Sequence, residues 1–136
     1  MARILGIDYG LKRVGVAATD PLQIIAAPLN TIETSQILNF LKQYCSEEPV
    51  ECIVIGEPKR LNGDDAAILP VIRQFAEKLQ KLLPDVLIAW QDERYTSYEA
   101  KQVILKAGFK KKQRQDKSLT DKISAAIILQ AYIAKE

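Results

Sequence analysis

The 136-residue sequence has no histidine, only two cysteines, one tryptophan and a single methionine. Without histidine there is no Ser–His triad, no imidazole acid–base catalyst and no His-ligated zinc. Cys45 and Cys52 are too few for a disulfide scaffold and too far apart in sequence for a CxxC pair, so they read as small buried apolar residues in a reducing compartment. No apolar run approaches the roughly 20 residues that a membrane-spanning helix needs. Asp8 and Lys12 interrupt any signal-peptide core. The expectation is a cytoplasmic chain without membrane attachment.

What is present points to one packed unit. Apolar residues make up 48% of the chain, and a chain of this size buries about two thirds of the surface it exposes when unfolded. The expected organisation is therefore a single domain over 1–136, with no interdomain cleft. Net charge is only +2, from 19 basic and 17 acidic residues, but it is unevenly spread. The segment from Lys106 to Lys117 (KAGFKKKQRQDK) holds six basic residues against one acid, leaving 13 basic and 16 acidic residues elsewhere. Such a cluster is the footprint of a polyphosphate partner, with a solvated loop as the plainer alternative.

Hydrophobic patterning gives the order β-β-β-α-β-α-β-α-α. Arg3–Ile7 and Arg13–Thr19 flank the turn YGLK and predict a hairpin. Gln23–Leu29 reads as a third strand, with Pro28 restricting it to an edge or an end. Thr34 and Ser35 predict the cap of a helix reaching Cys45, and Glu51–Ile55 predicts a buried strand. Ala66–Leu83 predicts a helix with Pro70 in its early part, and Val86–Trp90 a last strand. Thr96-Ser97-Tyr98-Glu99 has capping-box spacing and leads into a helix closed by Gly108. The basic segment follows as a loop. Ser118-Leu119-Thr120-Asp121 then reads as the start of a terminal helix over Ile123–Ile133, placing Asp121 in its first turn. A hairpin feeding alternating helices and strands predicts an α/β fold, a mixed sheet covered by helices.

Acids stand where packing does not ask for them. Asp8 follows the first strand, Asp92-Glu93 follow the last, and Asp121 opens the final helix. Strand ends and a helix start can converge on one sheet edge. Carboxylates there are hard oxygen ligands for Mg²⁺ or Mn²⁺, and such a site needs no histidine. Each acid also has a local explanation: a turn residue at Asp8, an exposed partner of Arg94 at 92–93, and a favourable helix-terminus charge at Asp121. Gly10 and Gly15 flank the first turn, where small residues let a backbone approach a ligand. Lys12 and Arg13 at that turn, and Lys59 and Arg60 before Asn62-Gly63, are candidate phosphate contacts or exposed loop charges. Thr96 and Ser97 are candidate phosphate donors at a helix N-terminus, or plain caps.

The residues that carry these features also carry a resemblance. Asp8-Tyr9-Gly10 with Lys12-Arg13-x-Gly15-Val16-Ala17 resembles the opening motif of the YqgF/RuvX family, within the RNase H-like superfamily and related to RuvC-type junction resolvases. Ile55-Gly56-x-Pro58 with Asn62-Gly63 resembles its second motif. Asp92-Glu93-Arg94-x-Thr96-Ser97-x-x-Ala100 resembles the third, and Asp121-x-x-Ser124-Ala125-Ala126-x-Ile128-Leu129-Gln130 the fourth. The four occur in order along nearly the whole chain.

The resemblance implies an RNase H-like mixed five-stranded sheet flanked by helices, and a divalent-metal nuclease using Mg²⁺ or Mn²⁺. It also implies an acidic, metal-binding catalytic triad of Asp8, Glu93 and Asp121. The implied reaction is phosphodiester hydrolysis in 5′-end maturation of pre-16S rRNA, with ribosomal precursor particles as partners. Lys12, Arg13, Lys59, Arg60, Arg94, Thr96, Ser97, Lys110, Lys111, Lys112 and Arg114 would hold nucleic acid.

Three other readings compete. A Holliday junction resolvase would act on branched DNA, and the two-fold symmetry of the junction favours a homodimer over a monomer. A catalytically silent nucleic-acid-binding module would gain nothing from three acids near phosphate. An actin-like nucleotide-binding protein, suggested by Asp8-x-Gly10 between strands, would need a second lobe.

Overall fold

The computed structural model describes residues 2–58, 67–93 and 117–135. Its centre is a five-stranded sheet of β1 (Arg3–Tyr9), β2 (Arg13–Thr19), β3 (Ala26–Glu33), β4 (Val50–Glu57) and β5 (Leu87–Asp92), in the order β3-β2-β1-β4-β5. β1–β2 and β2–β3 pair antiparallel, whereas β1–β4 and β4–β5 pair parallel. The sheet is mixed, as expected. Three helices accompany it among the described residues: α1 (Ile37–Glu47), α2 (Leu69–Leu82) and α3 (Lys117–Ala134).

Side-chain alternation along the strands builds two apolar layers. Leu5 and Ile7 of β1, Val14 and Val16 of β2, and Ile53 and Ile55 of β4 face α1 and α2. There they bury Ile37, Leu41, Leu69, Ile72, Phe75 and Leu79. On the other face Ile4, Ala17, Cys52 and Val54 meet Ala125, Ile128 and Leu129 of α3. Cys52 is accordingly a core residue and Cys45 lies partly buried, and neither is in a disulfide.

Several boundaries move, each for a visible reason. β1 continues to Tyr9, so Asp8 is inside the strand and pairs with Gly15. β3 begins three residues later than the pattern predicts because Asp20 closes a turn. Its carboxylate accepts the N–H groups of Leu22, Ile24 and Ile25, and Gln23 takes φ 60°. Pro28 does sit on the edge strand, beside a register shift between Val16 and Ala17.

Thr34 begins a 3₁₀ turn, Thr34–Gln36, but does not cap α1. Its hydroxyl donates instead to the Gly10 carbonyl (2.7 Å) and its N–H to that of Lys12 (3.0 Å), clasping the β1–β2 turn. The terminal helix already includes Lys117, so the expected start at Ser118-Leu119-Thr120-Asp121 is part of the helix body, where Leu119 packs with Ile123 and Ile127. Asp121 therefore lies a full turn inside α3, not in its first turn. The expected helix over 97–107, the rest of the basic segment over 106–116 and the 59–66 loop lie outside the described residues.

The α2 layer is tested by contrasting two leucines. Leu79 is fully buried and Leu87 is 61% exposed. Leu79→Ala is expected to lower unfolding stability by about 2–5 kcal/mol, and Leu87→Ala by less than about 0.5 kcal/mol. Equal shifts in urea midpoint would contradict the packing described above.

Candidate functional site

Parallel strands β1, β4 and β5 end on one edge, and the acids gather there. Asp8 is the penultimate residue of β1, on the face covered by α3. Glu93 follows β5 directly. Its N–H donates to the Glu57 carbonyl (3.2 Å), which extends the ladder one step and fixes its backbone. Ala89 packs under α3 while Ile88 and Trp90 pack on the opposite face, so alternation puts Gln91 and Glu93 on the α3 side.

The side chains of Asp8 and Glu93 hydrogen-bond to each other. Burial pushes both carboxyl groups above the usual carboxylate range, Glu93 to about 9 and Asp8 to about 6. The Asp8 charge raises Glu93 further, and the Asp121 charge adds to the rise at Asp8. Two like charges in contact cannot both ionise at low cost. Glu93 therefore keeps the proton near neutrality and donates it to the Asp8 carboxylate.

Two glycines make the gathering possible. Gly15 pairs with Asp8 across the hairpin, and α3 descends onto it so closely that a Cβ there would overlap the Asp121 carbonyl oxygen. Gly15 thus admits a helix, where the sequence suggested approach of a ligand. Gly56, in the neighbouring strand β4, leaves the space taken by Glu93. A Cβ on it would stand 2.8 Å from Glu93 Cδ and 2.7 Å from Ile128 Cδ1. Thr31 Oγ1 donates to the Ser118 carbonyl (2.6 Å) and the Ala26 N–H to Gln130 Oε1 (3.2 Å), fastening α3 along β3.

Asp121 is near enough to act on Asp8, but its carboxylate is taken by a cation. Arg13 Nε stands 2.6 Å from Asp121 Oδ2 in a partly buried ion pair. Two adjacent carboxylates are the hard-oxygen donor type that suits Mg²⁺ or Mn²⁺. Among the described residues no group of three His, Cys, Asp or Glu side chains is gathered tightly enough to hold one ion. Asp8 and Glu93 are brought together; Asp121 stands beside them, engaged by Arg13.

Lys12 is exposed at the hairpin turn on the same edge. Lys59, Arg60, Arg94, Thr96, Ser97, Lys110, Lys111, Lys112 and Arg114 lie outside the described residues. Ser124 and Gln91, both buried, were not singled out as site residues by sequence reasoning. Their signal was a polar residue on the apolar face of a predicted helix, and another just past a predicted strand.

A family model described as "RuvX: Holliday junction resolvase" matches residues 2–135. The chain belongs to the RuvX family. A relative from Phocaeicola vulgatus is 50% identical over 133 residues, covering 98% of this chain and 96% of its own. One from Flavobacterium johnsoniae is 48% identical over 136 residues, covering 100% and 99%. Both carry the name "Putative pre-16S rRNA nuclease". Among solved structures, Thermus thermophilus RuvC bound to a Holliday junction substrate superposes with a TM-score of 0.58 at 16% identity, covering 99% of this chain and 96% of that one. RuvC without the junction gives 0.54 at 14% identity, covering 98% and 95%. This RuvX chain therefore has the fold of RuvC, RNase H-like as expected. Among its described residues no helix is long and apolar enough to cross a membrane.

The site generates two predictions. The folded protein holds a proton on the Asp8–Glu93 pair that the unfolded chain releases near the ordinary carboxylate range. Unfolding thus releases a proton, and stability should fall as pH rises from about 5 toward about 9. Urea melts across that range should show the slope, and Glu93→Gln should flatten it; a wild-type stability that rises toward pH 9 would contradict the shared proton. Gly15→Ala should destabilise by about 1–3 kcal/mol or more, because the helix must lift off the sheet. An unchanged melting temperature would contradict the close approach.

Proposed function

We propose that this RuvX chain is a divalent-metal-dependent endonuclease that hydrolyses phosphodiester bonds during 5′-end maturation of pre-16S rRNA in the cytoplasm. The observation that carries the reading is the Asp8–Glu93 carboxyl pair, built at the strand ends beneath α3 with Asp121 beside it. The names of relatives near 50% identity over almost the full chain supply the substrate class.

In this reading Asp8 and Glu93 would hold Mg²⁺ or Mn²⁺, with Asp121 beside them as the third acid of the site. A divalent ion so held supplies Lewis-acid stabilisation of phosphoryl charge and lowers the pKa of water. Asp8 is central, because it touches Glu93 and feels Asp121. Both acids are partly exposed, so a backbone phosphate can approach along the sheet edge. Arg13 neutralises Asp121 in the absence of substrate, and its guanidinium can exchange that carboxylate for a phosphate oxygen. Lys12 adds positive charge at the hairpin turn. Lys59, Arg60, Arg94, Thr96, Ser97, Lys110, Lys111, Lys112 and Arg114 hold the rest of the backbone. Such contacts position nucleic acid without reading its sequence.

The description of the family itself favours a second reading, resolution of Holliday junctions. It requires paired cuts on a two-fold symmetric substrate and hence a homodimer, whereas the rRNA reading is satisfied by a monomer acting on a precursor particle.

One experiment separates the two. A labelled pre-16S 5′-leader RNA and a four-way DNA junction are each incubated with Mg²⁺, Mn²⁺ or EDTA. The expected result is metal-dependent RNA cleavage that falls at least about 100-fold in Asp8→Asn, which loses a negative charge at the cation site. Symmetric junction nicks would move the resolvase ahead. Cleavage undiminished in Asp8→Asn would overturn the assigned site.

A further inference from the structure

Two buried polar atoms near the acid pair have no hydrogen-bond partner among the described residues: Ser124 Oγ and Gln91 Oε1. Ser124 is 1% exposed and Gln91 7%. Leaving a buried hydroxyl unbonded forfeits the hydration it had in the unfolded chain. A helical serine ordinarily relieves this by donating to the carbonyl four residues earlier. Here that carbonyl belongs to Thr120, and Ser124 makes no such bond.

The register of α3 places the hydroxyl. The backbone of Asp121 rests on Gly15 of β2, which pairs with Asp8. The tip of Ile128 rests at Gly56 of β4, next to the Glu93 carboxyl. β1 runs between β2 and β4, and the pairing of Ile7 with Ile55 puts Gly56 level with Asp8. Ser124 lies three residues after Asp121 and four before Ile128, so it shares their sheet-facing side. It therefore sits over β1 at the level of Asp8, bracketed by the two contacts. Gln91 pairs with Gly56 across β4–β5, at the same level.

We propose that Ser124 is a further member of the divalent-cation site, its hydroxyl adding a neutral oxygen beside Asp8 and Glu93. This rests on the cation reading of that pair given above. Mg²⁺ and Mn²⁺ favour all-oxygen shells. A hydroxyl adds such an oxygen without adding to the like-charge repulsion already present between the acids. Asp121 cannot fill this place while Arg13 holds it at 2.6 Å. The orphaned Gln91 amide oxygen offers a second neutral oxygen at the same level.

The test is a Mn²⁺ titration by calorimetry on full-length wild type, Ser124→Ala, Ser124→Cys and Asp8→Asn, with cation-free melting temperatures measured alongside. The expected result for Ser124→Ala is a Kd raised about 10-fold and a cation-free melting temperature equal to or above wild type, since an unbonded buried hydroxyl has been removed. Ser124→Cys keeps the side-chain shape at slightly larger size and replaces the hard oxygen with sulfur, so it should weaken Mn²⁺ similarly; it decides the matter if the alanine variant does not fold. An unchanged Kd in the serine variants, with binding lost in Asp8→Asn, overturns the role of Ser124 and leaves the cation site standing. A lowered cation-free melting temperature with an unchanged Kd assigns Ser124 a structural role and likewise overturns the proposal. Wild-type affinity in Asp8→Asn overturns the cation reading itself, and Ser124 with it.

Discussion

The close approach of α3 to the sheet at Gly15 is the constraint on which the rest of this site depends. A helix is normally held off a sheet by the side chains that fill the gap between them. Here the strand offers only a hydrogen atom, and the helix backbone at Asp121 descends into the space. That brings a carboxylate from near the chain's C-terminal end beside one from its first strand, 113 positions away in sequence. The bonds from Thr31 to Ser118 and from Ala26 to Gln130 hold the helix on that line. Ala125, Ile128 and Leu129 complete the contact with an apolar layer.

The cost of this arrangement is electrostatic. Asp8 and Glu93 would repel as two carboxylates, so the pair retains a proton and Asp121 is matched by Arg13. One proton and one guanidinium thus offset two of the three acids from within, and the Asp8 carboxylate keeps the remaining negative charge. In the proposed nuclease reading, a divalent cation would take the place of the proton and a phosphate that of the carboxylate at Arg13. A site of this kind is less stable than a fully apolar edge would be, which is the usual relation between a functional cluster and the scaffold beneath it. Here the scaffold is the α1/α2 layer, where the large side chains of Leu5, Ile7, Ile55, Ile72 and Leu79 are buried completely.

Local chemistry made much of this legible in advance. β2 was readable to the residue because its short apolar run is bounded by turns. Pro28 pointed to an edge strand because a proline has no N–H for a second neighbour. The acids were visible as candidates because a charge directly after an apolar strand has no packing role. Other features were less legible. The Asp20 turn shifted β3 through side-chain bonds to three amides, and composition alone does not reveal which amides a carboxylate will reach. The capping-type sequence Ser118-Leu119-Thr120-Asp121 became part of the body of α3, where Leu119 packs with Ile123 and Ile127 on one helix face.

By itself the sequence determined the chemistry available to this protein. It has no imidazole, a few well-placed carboxylates, a concentrated basic segment and the ordered motifs of one family. It also determined the elements, because backbone propensity and hydrophobic period act over a few residues. Only the tertiary structure decided which of those groups meet. Glycine at 15 became the seat of a helix instead of a ligand contact, and Arg13 became the partner of Asp121. Ser124, one position in an apolar helix, became a buried hydroxyl without a hydrogen-bond partner among the described residues. These outcomes depend on contacts between strands and a helix far apart in the chain. The energies of such contacts are set by distances of a few ångström that no local pattern encodes.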